Sequence, residues 1–220
     1  MRSYSELLSD ETAWPQICAL AESAKARVTV LPRDPDAARF CLEHLQVTTR
    51  ATLGALAHET GGLLVDHGWL RILGSGHPQL SRSLGRWNDE LEIPLAHFVI
   101  VADDVIGGVF AINGGGLGPA RGNVHYFAPD SLRWEDTGHG HTSWLEWALT
   151  GDLAKFYEHA RWLGWEPEVE QVGGDRALSR YPPPWTVEGK HASRVSRRSV
   201  PPAELWSFHV EALAQLAGRG

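Results

Sequence analysis

The side chains of this sequence that could do chemistry fall at a few places. Gly138-His139-Gly140-His141 sets two imidazoles at i and i+2, near Glu135 and Asp136 and farther from His125. On one face of a strand such a pair could chelate zinc, but further ligands must come from elsewhere in the fold, and no His-Glu-x-x-His or Cys-His spacing is present. Eleven His in the chain make a chance pair the plainer account. The stretch then reads as a flexible loop before a capped helix, and no metal or other cofactor is expected. Asp66-His67 could supply a carboxylate and an imidazole, although catalytic triads are assembled across a fold and not along a chain. Ser75 lies between Gly74 and Gly76 but outside a Gly-x-Ser-x-Gly elbow. Asp103-Asp104 would need burial to split their pKa values into an acid and a base, and a surface hairpin turn does not provide it. Gly114-Gly115-Gly116-Leu117-Gly118 lacks the spacing of a dinucleotide or Walker loop, so it reads as a turn and not a phosphate cradle. Lys190, Arg194, Arg197 and Arg198 form a local basic stretch without interleaved aromatics, which reads as a solvated loop.

The elements that must position these groups follow from periodicity and punctuation. Ile17, Leu20, Ala21 and Ala24 fall at helical spacing behind Pro15. Val28 to Leu31 is a β-branched run closed by Pro32, and Asp34-Pro35 starts a helix with the stripe Ala38, Cys41, Leu42, Leu45. A helix over Thr52 to Glu59 stops at Gly61-Gly62. Leu63 to Val65 and Trp69 to Leu73 flank the tight turn Asp66-His67-Gly68, and a polar segment containing Trp87 runs on to about Ile93. Phe98 to Ala102 is apolar throughout, as a strand covered on both faces should be. Asp103-Asp104 turns into a second strand, Val105 to Ile112, with a bulge or close approach at Gly107-Gly108. Val124 to Phe127 and Leu132 to Glu135 complete the run. The intervals are too short for crossover helices, so the sheet is antiparallel and the class α+β. Ser143-Trp144-Leu145-Glu146 has capping-box spacing. The part from 160 to 220 reads as irregular, then as a terminal helix behind Pro201-Pro202 with Trp206, Val210, Leu213 and Ala217 on its packed face. One domain, 1–220, is expected.

Composition sets outer bounds. Hydrophobic residues make up 43% and charged residues 21% of the 220, which opposes disorder. The net charge of −7 opposes a nucleic-acid partner. Two cysteines, Cys18 and Cys41, are too few for a disulfide framework and read as small core hydrophobes. The first residues lack a signal-peptide apolar segment and no apolar run suits a bilayer, so a cytoplasmic location and no membrane partner are expected. Ten Trp are an unusual number. They imply an aromatic-rich core and rim, or in part a recognition surface.

The blocks Gly61 to Pro78, Val101 to Gly116 and Val124 to Glu135 resemble a bacterial family known as domain of unknown function 2625, and the likeness continues through Trp147 to Leu153 and the Tyr-Pro and Trp-Thr segment from Tyr181. The histidine-rich stretch from Gly138 to Thr142 departs from that family's pattern, as do Pro183-Pro184 and Val187. More loosely, the order of elements is similar to the SUKH superfamily of Smi/Knr-like immunity proteins. That resemblance implies a mostly antiparallel central sheet flanked by helices and a non-enzymatic module that binds a protein, such as a toxin domain, to neutralise it. The anchors expected on its surface are Trp69, Asp103, Asp104, Asn113, Trp134 and Glu135. The competing reading is a metal-dependent hydrolase or other small-molecule enzyme using Asp66 and His67, or His139 and His141.

Overall fold

A computed structural model describes residues 1–218 of the protein. Its centre is a seven-stranded sheet made of β1 (Val28–Pro32), β2 (Thr60–Val65), β3 (Leu70–Leu73), β4 (Phe98–Asp104), β5 (Val109–Asn113), β6 (Asn123–Ala128) and β7 (Arg133–Gly140). The strands follow one another in space as in sequence, and every neighbouring pair is antiparallel. The fold is therefore α+β, with an antiparallel sheet flanked by helices. Among the described residues no helix is long and apolar enough to cross a membrane.

Side chains alternate across the sheet, and each face has its own cover. On one face Phe110 and Tyr126 meet Trp144, Trp147 and Phe156 of α6 (His141–Thr150) and α7 (Leu153–Phe156). There α6 also touches α2 (Trp14–Glu22) and α4 (Thr52–Glu59), and α4 packs on α3 (Pro35–Leu45), which in turn touches α1 (Tyr4–Leu7). On the other face Phe127 and Trp134 meet Trp206 of the terminal helix α9 (Pro202–Ala217). Ile100, Val101 and Ala102 are all fully buried, as a strand covered from both sides requires. Asp34 caps α3 by accepting from the Asp36 and Ala37 amides at 3.0 and 2.9 Å.

Several segments differ from the sequence-based expectation. Asp103 and Asp104 end β4 instead of forming the turn, which comprises 105–108, with Gly107 at φ +90°. The polar segment holds a short helix, α5 (Trp87–Glu90). His139 lies on β7, not in a loop, and α6 begins at His141 with Gly140 as N-cap, so Ser143 sits inside the helix and makes no capping box. The part after 160 is ordered: α8 (Trp165–Val172) leads to a two-stranded sheet of β8 (Ala177–Tyr181) and β9 (Ser196–Val200). In α9 the buried side chains are Leu205 and His209, while Val210 and Leu213 are exposed, so the packed face is rotated from the apolar stripe. Five Trp are buried and five partly buried, which fits the core-and-rim reading of the aromatic content.

Candidate functional site

Most of the residues singled out for binding are inside the molecule. Trp69 is fully buried and stacks with Tyr157, Trp162 and Trp165 at centroid distances of 5.4, 5.6 and 5.1 Å. It fixes the segment between α7 and α8 onto the sheet, and Arg161 lies over the same cluster, 4.9 Å from the Trp69 ring.

Asp103 is the centre of a buried ionic network. Arg82 Nε and Arg71 Nη1 donate to its two carboxylate oxygens at 2.7 and 3.2 Å. The same guanidinium groups donate to the carbonyls of Gly173, Gly174 and Arg176 at 3.0, 2.8 and 2.7 Å. This network ties β3 and β4 to the connection between α8 and β8. Asp104 faces the other way. It accepts from the Gly108 amide at 2.7 Å, the Ile106 amide at 3.1 Å and the Tyr126 hydroxyl at 2.8 Å. Burial pushes the Asp104 carboxyl up, against the pull of those donors. Asn113 is also buried: its Oδ1 accepts from the Gly115 and Leu117 amides at 2.7 and 3.1 Å, and its Nδ2 donates to the Gly118 and Ala120 carbonyls, both at 3.0 Å. Gly114 and Gly116 donate their amides to the His97 carbonyl, so the glycine run is a turn held against the residue that precedes β4.

These four residues thus lack the surface exposure expected of partner anchors. The sequence signal was real but read as exposure: a charged pair beside a glycine turn looks the same whether it caps a surface hairpin or anchors a buried one. Trp134 is partly exposed and packs on Phe98, Phe127 and Trp206, whereas Glu135 is exposed on β7.

The candidate catalytic groups are separated, and three of the four, Asp66, His67 and His141, are occupied. Asp66 and His67 form the expected tight turn, with φ of 53° and 62°. Asp66 pairs with Arg161, while His67 Nδ1 lies 2.7 Å from Glu170 on α8. His141 meets the Thr52 hydroxyl at 2.8 Å, its Nε2 is enclosed, and burial lowers its pKa to about 4. His139 is exposed. Among the described residues no three His, Cys, Asp or Glu side chains are grouped as a metal site would need. The basic stretch is divided: Arg197 pairs with Glu168 at 2.9 Å and covers the Trp162 ring at 4.0 Å, and Arg198 pairs with Glu204 at 3.0 Å. Both stand on β9 and not in a solvated loop.

A feature the sequence did not announce is a cleft of about 790 Å³. The end of β6 with Asp130, Glu135 of β7, the segment 156–163, and the loop carrying Lys190 and His191 form its walls. Arg180, on β8, reaches it from below and is only 7% exposed. The sequence profile of the family described as "Protein of unknown function DUF2625" matches residues 5–205. The chain belongs to this family. It is 41% identical over 212 residues to the uncharacterized protein YbfG of Escherichia coli (strain K12), covering 96% of this chain and 97% of that one. It is 37% identical over 185 residues to an uncharacterized protein of Haemophilus influenzae, covering 81% and 80%. No solved structure matches the chain significantly. The DUF2625 match ends at 205, within α9, so it takes in every wall of the cleft.

Proposed function

We propose that this DUF2625 chain is a cytoplasmic binding module and not a catalyst, and that it holds a partner protein at the cleft in the manner of an immunity protein covering a toxin. The observation that carries this reading is the contrast in occupancy. Three groups that could do acid–base chemistry are spent on internal partners: Asp66 on Arg161, His67 on Glu170, Asp103 on Arg71 and Arg82. The cleft beside them is open, with an acidic rim at Asp130 and Glu135 and a fully exposed Leu163. An apolar anchor within a charged rim suits protein recognition, and the net charge of −7 would hasten encounter with a basic toxin such as a nuclease.

The test uses purified wild-type protein and the surface variants Leu163→Glu and Glu135→Arg, each immobilised and exposed to extract of the native host. The reading requires a stoichiometric partner retained by wild type, lost by both variants, and toxic when produced without this protein. A partner retained equally by all three, or none at all, overturns it.

A further inference from the structure

Arg180 is the unexplained charge in this molecule. It is more than nine-tenths buried and lines the cleft, yet its guanidinium makes no hydrogen bond or ion pair among the described residues, and its Nε is enclosed without a partner. A buried cation left this way is costly, and native structures pair such groups or use them. The other buried arginines show the usual solution, since Arg71 and Arg82 share Asp103 and add backbone carbonyls.

The charged and polar groups around Arg180 do not satisfy it. Asp104 is the strongest attractive neighbour, but its oxygens already accept from two amides and from Tyr126. Asp130 contributes attraction from the rim, and Arg197, its partner across the β8–β9 ladder, repels it. His209 is packed nearby with its pKa lowered to about 4, so it adds no charge at neutral pH. Tyr157 also lines the cleft; its hydroxyl is enclosed beside Asp104 without a well-aligned hydrogen bond, and burial beside that carboxyl keeps it protonated and able to donate. Two residues that carry enclosed, unpartnered donors thus line one space, and apolar surface from Phe156, Ala160 and Leu163 borders it.

We propose that the cleft is a binding site for a small carboxylate with an apolar body, the carboxylate taken by the Arg180 guanidinium with help from the Tyr157 hydroxyl. The planar guanidinium matches the two oxygens of a carboxylate, and a buried, desolvated fork is worth more than a surface one. A cleft of this volume is the size that small-molecule sites have. The planar fork of Arg180 suits a carboxylate, and the rim carboxylates Asp130 and Glu135 oppose a second negative charge more than a first, although Lys190 also lines the cleft. The site lies in the same cleft as the protein-partner reading but does not rest on it, since it is tested with purified protein and no partner.

The experiment is calorimetric titration at matched ionic strength with phenylacetate, benzyl alcohol and inorganic phosphate. Wild type is expected to bind phenylacetate and neither of the other two. Arg180→Met should weaken phenylacetate binding at least about tenfold, the cost of one charge-assisted hydrogen bond. Arg180→Lys keeps the charge without the fork and should also weaken it, and Tyr157→Phe should weaken it less. Should Arg180→Met fail to fold, Arg180→Lys and Tyr157→Phe carry the same comparison. Absence of phenylacetate binding, binding of benzyl alcohol equal to phenylacetate, binding of phosphate alone, or equal binding by the Arg180 variants overturns the proposal.

Discussion

At Asp103 a single carboxylate answers two buried guanidinium groups, and the asymmetry of buried ion pairs makes its removal expensive. Asp103→Ala leaves Arg71 without a counter-charge in a dry interior and Arg82 with only the longer 3.4 Å contact to Asp175, and should cost about 3–5 kcal/mol, read as a lower urea midpoint with the slope unchanged. Glu135→Ala, on the exposed strand, should shift the midpoint little. His209 makes a second prediction. Burial and the nearby Arg180 charge lower its pKa to about 4, from an ordinary value near 6.5. Below pH 6.5 the unfolded imidazole takes up a proton that the folded one refuses. The stability it secures is therefore whole above about 6.5 and is lost as the pH falls toward 4, by about 3 kcal/mol at most. His209→Gln should flatten the stability profile across that window, measured by urea midpoints at pH 7, 5.5 and 4.5. Asp104 works in the opposite sense, since its raised carboxyl makes protonation on acidification favour the folded state. An unchanged profile in His209→Gln would place the pH dependence elsewhere.

The glycine-rich connection between β5 and β6 shows what one side chain does for an element. Asn113 holds two amides and two carbonyls of the loop from within the sheet's end, so the loop is shaped by a central amide and not by its glycines alone. Asn113→Ala should cost about 2–4 kcal/mol if these bonds contribute ordinarily. It should also speed amide hydrogen exchange at Gly115 and Leu117 before any other region; exchange that stays slow there would show the loop is set by other contacts. This element also marks how far the sequence could be read. The strands from Phe98 to Glu135, the Asp34 cap and the Asp66-His67 turn were legible because alternation and turn chemistry are local. Whether Asp103 and Asp104 face in or out was not, because their partners Arg82 and Tyr126 come from other parts of the chain, and Asn113, whose partners are local, looks like any turn residue until its loop is folded over it. β8 and β9 were hidden for the same reason: Ser196-Arg197-Arg198 reads as a polar loop until Glu168 and Trp162 are brought beneath it. The cleft was invisible altogether, since its walls are separated by dozens of residues and only tertiary structure leaves Arg180 facing an open space.

For the whole molecule the question is whether the part after 160 belongs to the same folding unit as the sheet. Its attachments are buried and varied. Arg71 and Arg82 bind the carbonyls at 173, 174 and 176; the Leu178 amide donates to the Val105 carbonyl at 2.6 Å; Trp206 packs on Phe127 and Trp134. A segment held by buried ionic contacts on one side and aromatic packing on the other cannot leave without exposing unpaired arginines and the far face of β6. We therefore expect one cooperative transition for all 220 residues. Far-ultraviolet circular dichroism reports on the helices around the sheet. The fluorine resonance of Trp206 in fluorotryptophan-labelled protein, assigned with a Trp206→Phe variant, reports on the terminal helix. Coincident urea curves from the two probes are the expected result, and Asp103→Ala should move both curves together. If Trp206 is released at lower urea than the helices melt, the terminal region is a separate unit docked on the sheet, and the cleft between them opens without global unfolding.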